Sequence, residues 1–118
     1  MPLVNVKYPA TLYSNDERKA ISDVIRQAVA DAMSTHDNPL AADDVKVLID
    51  SYDPVTSHTD RHLWVEVVGL DDAERMLTLK DRLNRVRREI MNNLALEENM
   101  TVDSYVTYRV APDDHWSD

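Results

Sequence analysis

The hydrophobic positions of this chain follow strand spacing, then helix spacing, then strand spacing, and the series occurs twice. Residues 3–8 alternate apolar and polar side chains, which is typical of a half-buried strand. Residues 45–49 repeat the alternation and predict a second strand. Between them, apolar residues recur every three or four positions and predict an amphipathic helix with one buried face. They are Ile21, Val24, Ile25, Ala28, Val29, Ala32 and Met33.

The first predicted helix carries clear start and stop signals. Ser14 and Glu17 have the spacing of a capping box, in which the serine hydroxyl accepts from a backbone N–H three residues on and the glutamate reaches back. The helix ends near the Asp-Asn-Pro sequence of residues 37–39, because the residue before a proline is disfavoured in helical conformation. Residues 52–60 are mostly short and polar, contain Pro54, and predict a loop.

The second half of the chain repeats this order. Residues 63–68 are rich in β-branched side chains and predict a strand that Gly69 closes. A helix is predicted to begin within residues 71–74 and to end at Asn99, and residues 104–110 predict a fourth strand. The apolar face of this helix consists of Met76, Leu79, Leu83, Val86, Ile90 and Leu94.

These elements predict an α+β fold of two consecutive β-α-β repeats, forming a four-stranded sheet with two helices on one face. We expect one domain over residues 1–118, with the first repeat at 3–52, the second at 61–111 and a tail at 112–118. A ferredoxin-like split sandwich has the same order of elements, so the pattern alone leaves both arrangements open.

Two helices on one face leave the other face of the sheet uncovered. On the fourth strand that face carries either Tyr105, Thr107 and Arg109 or the intervening residues, and we expect the former. A partly apolar face without cover predicts an oligomer.

Composition narrows the classes of function. The formal net charge of −9 opposes binding to nucleic-acid phosphates, and the basic residues within 80–88 are expected on the solvated face of the second helix. The chain has no cysteine, which excludes disulfides and thiolate sites. Gly69 is its one glycine, which excludes a glycine-rich phosphate loop.

The same features limit location and cofactors. No apolar run reaches the roughly 18 residues that a membrane helix needs, and no signal-peptide pattern occurs at the start, so we expect a cytoplasmic protein without a membrane partner. We expect no metal and no cofactor, because the histidines lack the spacing of metal ligands. They are His36, His58, His62 and His115.

Pro2 is the first candidate for chemistry. A small residue after the initiator methionine permits removal of Met1, which leaves the proline nitrogen as a secondary amine. An N-terminal amine titrates nearer to neutrality than lysine does, and an apolar pocket beside cations lowers its pKa further. A neutral amine can abstract a proton next to a carbonyl group.

Several short stretches resemble the tautomerase superfamily, and in particular its malonate semialdehyde decarboxylase-like group. They are residues 1–4 (Met-Pro-Leu-Val), the helix start at 14–18, the second-strand entry at 43–49, the fourth strand at 106–110 and the Asp-His-Trp-Ser sequence at 114–117. The resemblance implies a fused double repeat that assembles as a homotrimer. It also implies that Pro2 is the catalytic proline and that Asp44 is a catalytic or water-orienting aspartate.

This chain departs from the family at its arginines. The stretch after the third strand, residues 68–72, has none, and Tyr13 stands where short-chain members carry an arginine before the first helix. A substrate carboxylate needs a cation, since charge-assisted hydrogen bonds are the strong ones. We favour Arg109 and Arg61 as replacements. The other basic candidates are Lys7, Lys46 and Arg75.

Tyrosine hydroxyls are candidates for stabilising an enolate oxygen, and Tyr13, Tyr105 and Tyr108 are the residues concerned. The favoured hypothesis is an isomerase: a cofactor-independent tautomerase that uses Pro2 as general base on a small 2-keto or enol acid. One alternative is a decarboxylase or hydratase acting on a small three-carbon acid, with Asp44 orienting water. Another is an oligomeric binding or scaffold protein on the same fold, because a fold alone does not establish activity.

Overall fold

The structure is a computed structural model, and it describes residues 2–9, 14–36, 38–52, 63–69, 72–97 and 104–111. Within these ranges the chain forms four strands and three α-helices, and one 3₁₀ turn precedes the second strand. The strands are β1 (Leu3–Pro9), β2 (Lys46–Tyr52), β3 (Leu63–Gly69) and β4 (Ser104–Val110). The helices are α1 (Asn15–Met33), α2 (Ala73–Leu77) and α3 (Leu79–Glu97), and the 3₁₀ turn is Ala42–Asp44.

The four strands form one sheet in the order β2-β1-β3-β4. β1 pairs with β2 in parallel, β3 pairs with β4 in parallel, and β1 and β3 are antiparallel in the centre. Each helical crossover therefore joins neighbouring strands. A split β-α-β arrangement would place another strand between them. The described strands thus confirm the two consecutive β-α-β repeats and exclude the ferredoxin-like alternative.

The core lies between the helices and one face of the sheet. Val4 and Val6 of β1 stand opposite Val67 and Val65 of β3 on this face, and all four side chains are buried. Each apolar position predicted for the first helix is buried in α1. Of the apolar positions predicted for the second helix, Val86, Ile90 and Leu94 of α3 are buried. The predicted buried face is therefore confirmed in full for α1, whereas Met76, Leu79 and Leu83 of the second predicted helix are only partly buried.

The predicted capping box starts α1. The Glu17 N–H donates to the Ser14 hydroxyl at 3.2 Å, and the Ser14 N–H donates to the Glu17 carboxylate at 3.0 Å. Two N–H groups that lack partners within the helix are thereby satisfied.

The second predicted helix is corrected by the structure, because it is two helices that meet at Thr78. The Thr78 N–H bonds the carbonyls of Arg75 and Met76, and its hydroxyl bonds the Glu74 carbonyl and accepts from Arg82 Nε. A threonine side chain that bonds the backbone of the preceding turn competes with regular helix bonding. Periodicity alone did not reveal the break, since the apolar spacing continues across it.

The other face of the sheet, which we call the open face, has no helix over it among the described residues. It carries Leu3, Asn5, Lys7, Lys46, Leu48, Asp50, Trp64, Glu66, Val68, Tyr105, Thr107 and Arg109. Leu48 is 59% exposed there. Val106 and Tyr108 instead pack against the core, so the expected orientation of β4 is correct. None of the helices in the described ranges is long and apolar enough to cross a membrane.

Candidate functional site

Pro2 lies where three strand ends meet. Its carbonyl accepts a 3.1 Å hydrogen bond from the Lys46 N–H, which fixes it to the start of β2. Leu3 stands opposite Val68, so continuing the register by one residue places Pro2 opposite Gly69 at the carboxyl end of β3. The Pro2 side chain is buried, and strand alternation places it on the helix side with Val4.

Asp44 lies at the same end of the sheet, in the 3₁₀ turn that leads into β2. Its carboxylate accepts a 2.9 Å hydrogen bond from the Ala41 N–H, so one of its roles is to cap that turn. The sequence resemblance predicts a catalytic role for this residue. Asp44 is two residues before Lys46 in the sequence, and the Lys46 N–H donates to the Pro2 carbonyl.

Arg109 and Tyr105 lie on the open face, opposite the side of the Pro2 ring. Arg109 is half exposed, and its guanidinium is 3.5 Å from Glu66. Glu66 also accepts a 3.2 Å hydrogen bond from the Asn5 side chain. The Tyr105 ring packs on Trp64 with 4.6 Å between ring centroids. Within one protomer, therefore, neither residue shares the side of the sheet on which Pro2 is buried.

The open face forms a broad depression of about 670 Å³. Its lining includes apolar side chains, Leu48, Trp64 and Tyr105, and charged ones, Lys7 and Glu66. Leu48, Trp64 and Tyr105 make this a partly apolar surface that is bordered by charged groups.

A buried arginine lies on the helix side, at the Pro2 end of the sheet. Arg75 is only 3% exposed. Its Nε donates to the Met33 carbonyl at 3.0 Å, and one terminal nitrogen donates to the Tyr108 hydroxyl at 3.2 Å. Gly69 lies against both groups, because a Cβ there would clash with the Tyr108 hydroxyl and come within 3.2 Å of the guanidinium.

The sequence analysis places Arg75 only among the other basic candidates, although the sequence itself sets this arginine apart. The third residue of α1 is Glu17, which reaches back to the N-cap. The third residue of α2 is Arg75, which carries only donors and cannot make that contact. The Arg75 side chain must therefore contact other groups or solvent, and the tertiary structure shows that it is buried.

Asp72 is the N-cap of α2 and joins it to the segment after α1. Its carboxylate accepts from the Arg75 N–H at 3.0 Å and from the Asn38 amide at 2.6 Å. The Thr35 hydroxyl adds a longer contact of 3.4 Å. The Arg75 N–H and the Asn38 side chain hold the pKa of Asp72 below its ordinary value of 3.8, and the Arg75 charge acts in the same direction.

Several parts of the sequence prediction fall outside the described residues and stay predictions. They are Tyr13, the loop at 53–60, Arg61, the end of the second helix at Asn99, the tail at 112–118 with its 114–117 sequence, and His58, His62 and His115. Among the residues that the structure does describe, no three acidic or histidine side chains cluster in a way that could hold a metal ion.

Comparison with known proteins identifies the fold. No protein-family model and no curated protein matches the sequence. Among solved structures, the FG41 malonate semialdehyde decarboxylase inhibited by 3-bromopropiolate superposes with a TM-score of 0.69 at 16% identity, over 98% of this chain and 87% of that one. A member of the cis-3-chloroacrylic acid dehalogenase family gives 0.63 at 15% identity, over 98% and 79%.

A symmetric trimer of fused 4-OT gives a TM-score of 0.64 at 17% identity, over 93% of this chain and 85% of that one. All three are tautomerase-superfamily proteins, so the chain has the fold of the tautomerase superfamily. The resemblance in the short sequence stretches and the architecture of the sheet therefore agree.

Proposed function

We propose that this protein is a tautomerase-superfamily enzyme, an isomerase in which the Pro2 amine, exposed by removal of Met1, is the general base. The position of Pro2 carries the proposal. It is held by the Lys46 N–H at the meeting point of β1, β2 and β3, and its ring is buried. A fixed amine in a low-dielectric setting is less easily protonated, and the neutral form is the one that accepts a proton.

The proposed reaction is keto–enol tautomerisation of a small 2-keto or enol acid. The Pro2 nitrogen accepts the proton of the enol hydroxyl, and the O–H bonding pair becomes the carbonyl π bond. The former C=C pair then takes a proton from the resulting ammonium group at carbon. One proton leaves oxygen and one arrives at carbon, so the reaction balances without an oxidant, a metal or a cofactor.

We propose a homotrimer as the working form, because each protomer leaves its open face uncovered. Leu48 is 59% exposed and Tyr105 is 43% exposed on this face. Solvent-exposed apolar side chains of this size are favourably buried by a second copy. Assembly would also bring open-face cations such as Arg109 toward the site of a neighbouring protomer, where Arg109 and Arg61 are the candidates for binding the substrate carboxylate.

Asp44 supports a second candidate function, decarboxylation or hydration of a small three-carbon acid. The supporting observation is that its carboxylate lies in the turn immediately before the strand end that holds Pro2. A carboxylate there could orient a water molecule toward a bound substrate. An oligomeric binding or scaffold protein is the remaining alternative.

The test is phenylenolpyruvate ketonisation by untagged protein with a free N-terminus. Pro2→Ala is compared with Pro39→Ala, which changes an exposed proline far along the chain. Intact mass establishes removal of Met1, and light scattering establishes equal assembly. We expect activity to fall by roughly 10²-fold or more in Pro2→Ala and to persist in Pro39→Ala. Retained Met1, or equal activity in both variants, would refute the general-base proposal.

An Asp44→Asn variant separates the two enzymatic candidates. A tautomerase keeps ketonisation in this variant, because Pro2 performs both proton transfers. A hydratase or decarboxylase loses turnover of malonate semialdehyde, a three-carbon acid, in this variant. Absence of all these activities in a correctly processed oligomer would favour the binding or scaffold protein.

A further inference from the structure

The buried cation at position 75 carries an inference about how the proposed base is tuned. We infer that Arg75 is a positioning residue that acts electrostatically on Pro2 and keeps its amine neutral near pH 7. The inference rests on the proposed function, since it concerns the amine that removal of Met1 exposes. It assigns to the start of α2 a cation that residues 68–72 lack.

Arg75 is held rigidly and away from solvent. Its Nε is bound by the Met33 carbonyl at the end of α1, and a terminal nitrogen is bound by the Tyr108 hydroxyl of β4. These contacts join the end of α1 and strand β4 to α2 around one charge. A buried charge is poorly screened by water and salt, so its field reaches nearby groups more strongly than that of an exposed charge.

The strand register connects this charge to Pro2. Leu3 pairs with Val68, so the next position on each strand is Pro2 and Gly69. Gly69 has no side chain, and the space beside its Cα is filled by Tyr108 and the Arg75 guanidinium. Pro2, Gly69 and Tyr108 lie on the same side of the sheet by alternation. The cation therefore faces the strand end where the amine begins.

The other charged groups around this end are exposed or are bound by other partners. Lys46 of β2 and Arg109 of β4 are exposed on the open face. Asp44 of the 3₁₀ turn is bound by the Ala41 N–H, and Asp72 of the α2 cap by the Arg75 N–H. Glu74 pairs with Arg82 at 3.4 Å, and His36 is exposed.

Arg75 is thus the one buried charged side chain in the described part of the chain, and it has the sign that disfavours an ammonium. A nearby positive charge destabilises the protonated amine and lowers its pKa. Loss of the charge should therefore raise the Pro2 pKa, which moves the acidic limb of the pH–rate profile upward. A side chain that only stabilises the fold would lower the rate equally at every pH.

Arg82 supplies a matched control. It also bonds the end of α1, donating to the carbonyls of Ala32 and Ser34 at 2.8 and 2.7 Å. It lies beyond the Thr78 break, where its guanidinium also bonds the Thr78 hydroxyl and pairs with Glu74. Arg82→Gln and Arg75→Gln therefore remove similar contacts with α1, but only Arg75→Gln removes the charge beside Gly69.

The measurement is a ¹⁵N NMR titration of proline-labelled oligomer with Met1 removed, for the parent, Arg75→Gln, Arg75→Lys and Arg82→Gln. Circular dichroism confirms folding, and the pH–rate profile is recorded alongside. We expect the Pro2 pKa to rise by roughly one unit in Arg75→Gln and to stay near the parent value in Arg75→Lys and Arg82→Gln. At pH 6 the rate of Arg75→Gln should fall roughly tenfold and recover toward the parent rate at pH 9.

The outcomes separate this inference from the proposed function. An unchanged Pro2 pKa in Arg75→Gln overturns the role of Arg75, even where Pro2→Ala abolishes activity. A titrating Pro2 amine with a shifted pKa but no catalysis supports Arg75 and counts against the tautomerase proposal. If Arg75→Gln does not fold, the comparison passes to Arg75→Lys and Arg75→Met, and equal pKa values in those two variants would overturn the inference.

Discussion

The hydroxyl group of Tyr108 occupies the space that a side chain at position 69 would need. Gly69 ends β3, and a Cβ there would clash with that hydroxyl and press on the Arg75 guanidinium. The chain's one glycine is therefore required because the Tyr108 side chain of β4 lies against it. The same contact places the Tyr108–Arg75 pair at the Pro2 end of the sheet.

Gly69→Ala should destabilise the protein by about 1–3 kcal/mol, because Tyr108 and Arg75 would have to move from a packed site. Urea unfolding measures the change in the free energy of unfolding. Tyr108→Phe removes the oxygen that lies nearest to position 69, so the cost of Gly69→Ala should be smaller in that background. If Gly69→Ala destabilises the parent and the Tyr108→Phe variant equally, the Tyr108 hydroxyl is not the reason that position 69 requires glycine.

Ser14→Ala should cost about 1 kcal/mol, since it removes the acceptor for the Glu17 N–H at the start of α1. Ser14→Thr keeps a hydroxyl at the same position and should cost much less. Thermal and urea unfolding of the two variants provide the comparison. Similar losses in both would show that the capping hydroxyl is not responsible.

Stability should depend on the ionisation of Asp72 at acid pH. The folded pKa lies below the ordinary value, so the carboxylate contributes stability above the unfolded pKa, and this contribution is lost as pH falls through the folded pKa. Asp72→Asn removes the titrating group. The stability difference between parent and variant should be largest above about pH 5 and should shrink toward pH 2. Urea unfolding across this range measures it, and a difference that does not vary with pH would contradict the linkage.

The open face should determine the oligomeric state. Leu48→Glu places a charge on the open face, where Leu48 is 59% exposed in the protomer. Leu77→Glu makes the same change at the end of α2, where the leucine is 87% exposed and is not part of the open face. We expect Leu48→Glu to dissociate the oligomer and Leu77→Glu to leave its mass unchanged in light scattering. Dissociation by Leu77→Glu alone would place the interface elsewhere.

Much of the fold follows from local pattern. The alternation in β1 and the apolar spacing of α1 each define one buried face, and Ser14 with Glu17 fixes the start of the first helix. These are interactions between near neighbours, so sequence spacing expresses them directly. The sequence pattern did not predict the break at Thr78, because the apolar spacing continues across that residue.

The sequence also determined which groups are available for chemistry. It supplies a proline at position 2 and Asp44 before the second strand, and it provides no cysteine and no glycine-rich loop. Residue identity alone limits the chemistry in this way, because thiolate and phosphate-loop mechanisms require those residue types.

Only the tertiary structure decided which of these groups meet. The strand order β2-β1-β3-β4 sets Pro2 between Lys46 and Gly69, puts Arg109 on the opposite face, and buries Arg75 against Met33 and Tyr108. Such contacts join residues that are more than 30 positions apart, and no periodicity along the chain encodes them. They follow from strand register and helix docking, since a shift of one residue would move every side chain of a strand to the other face.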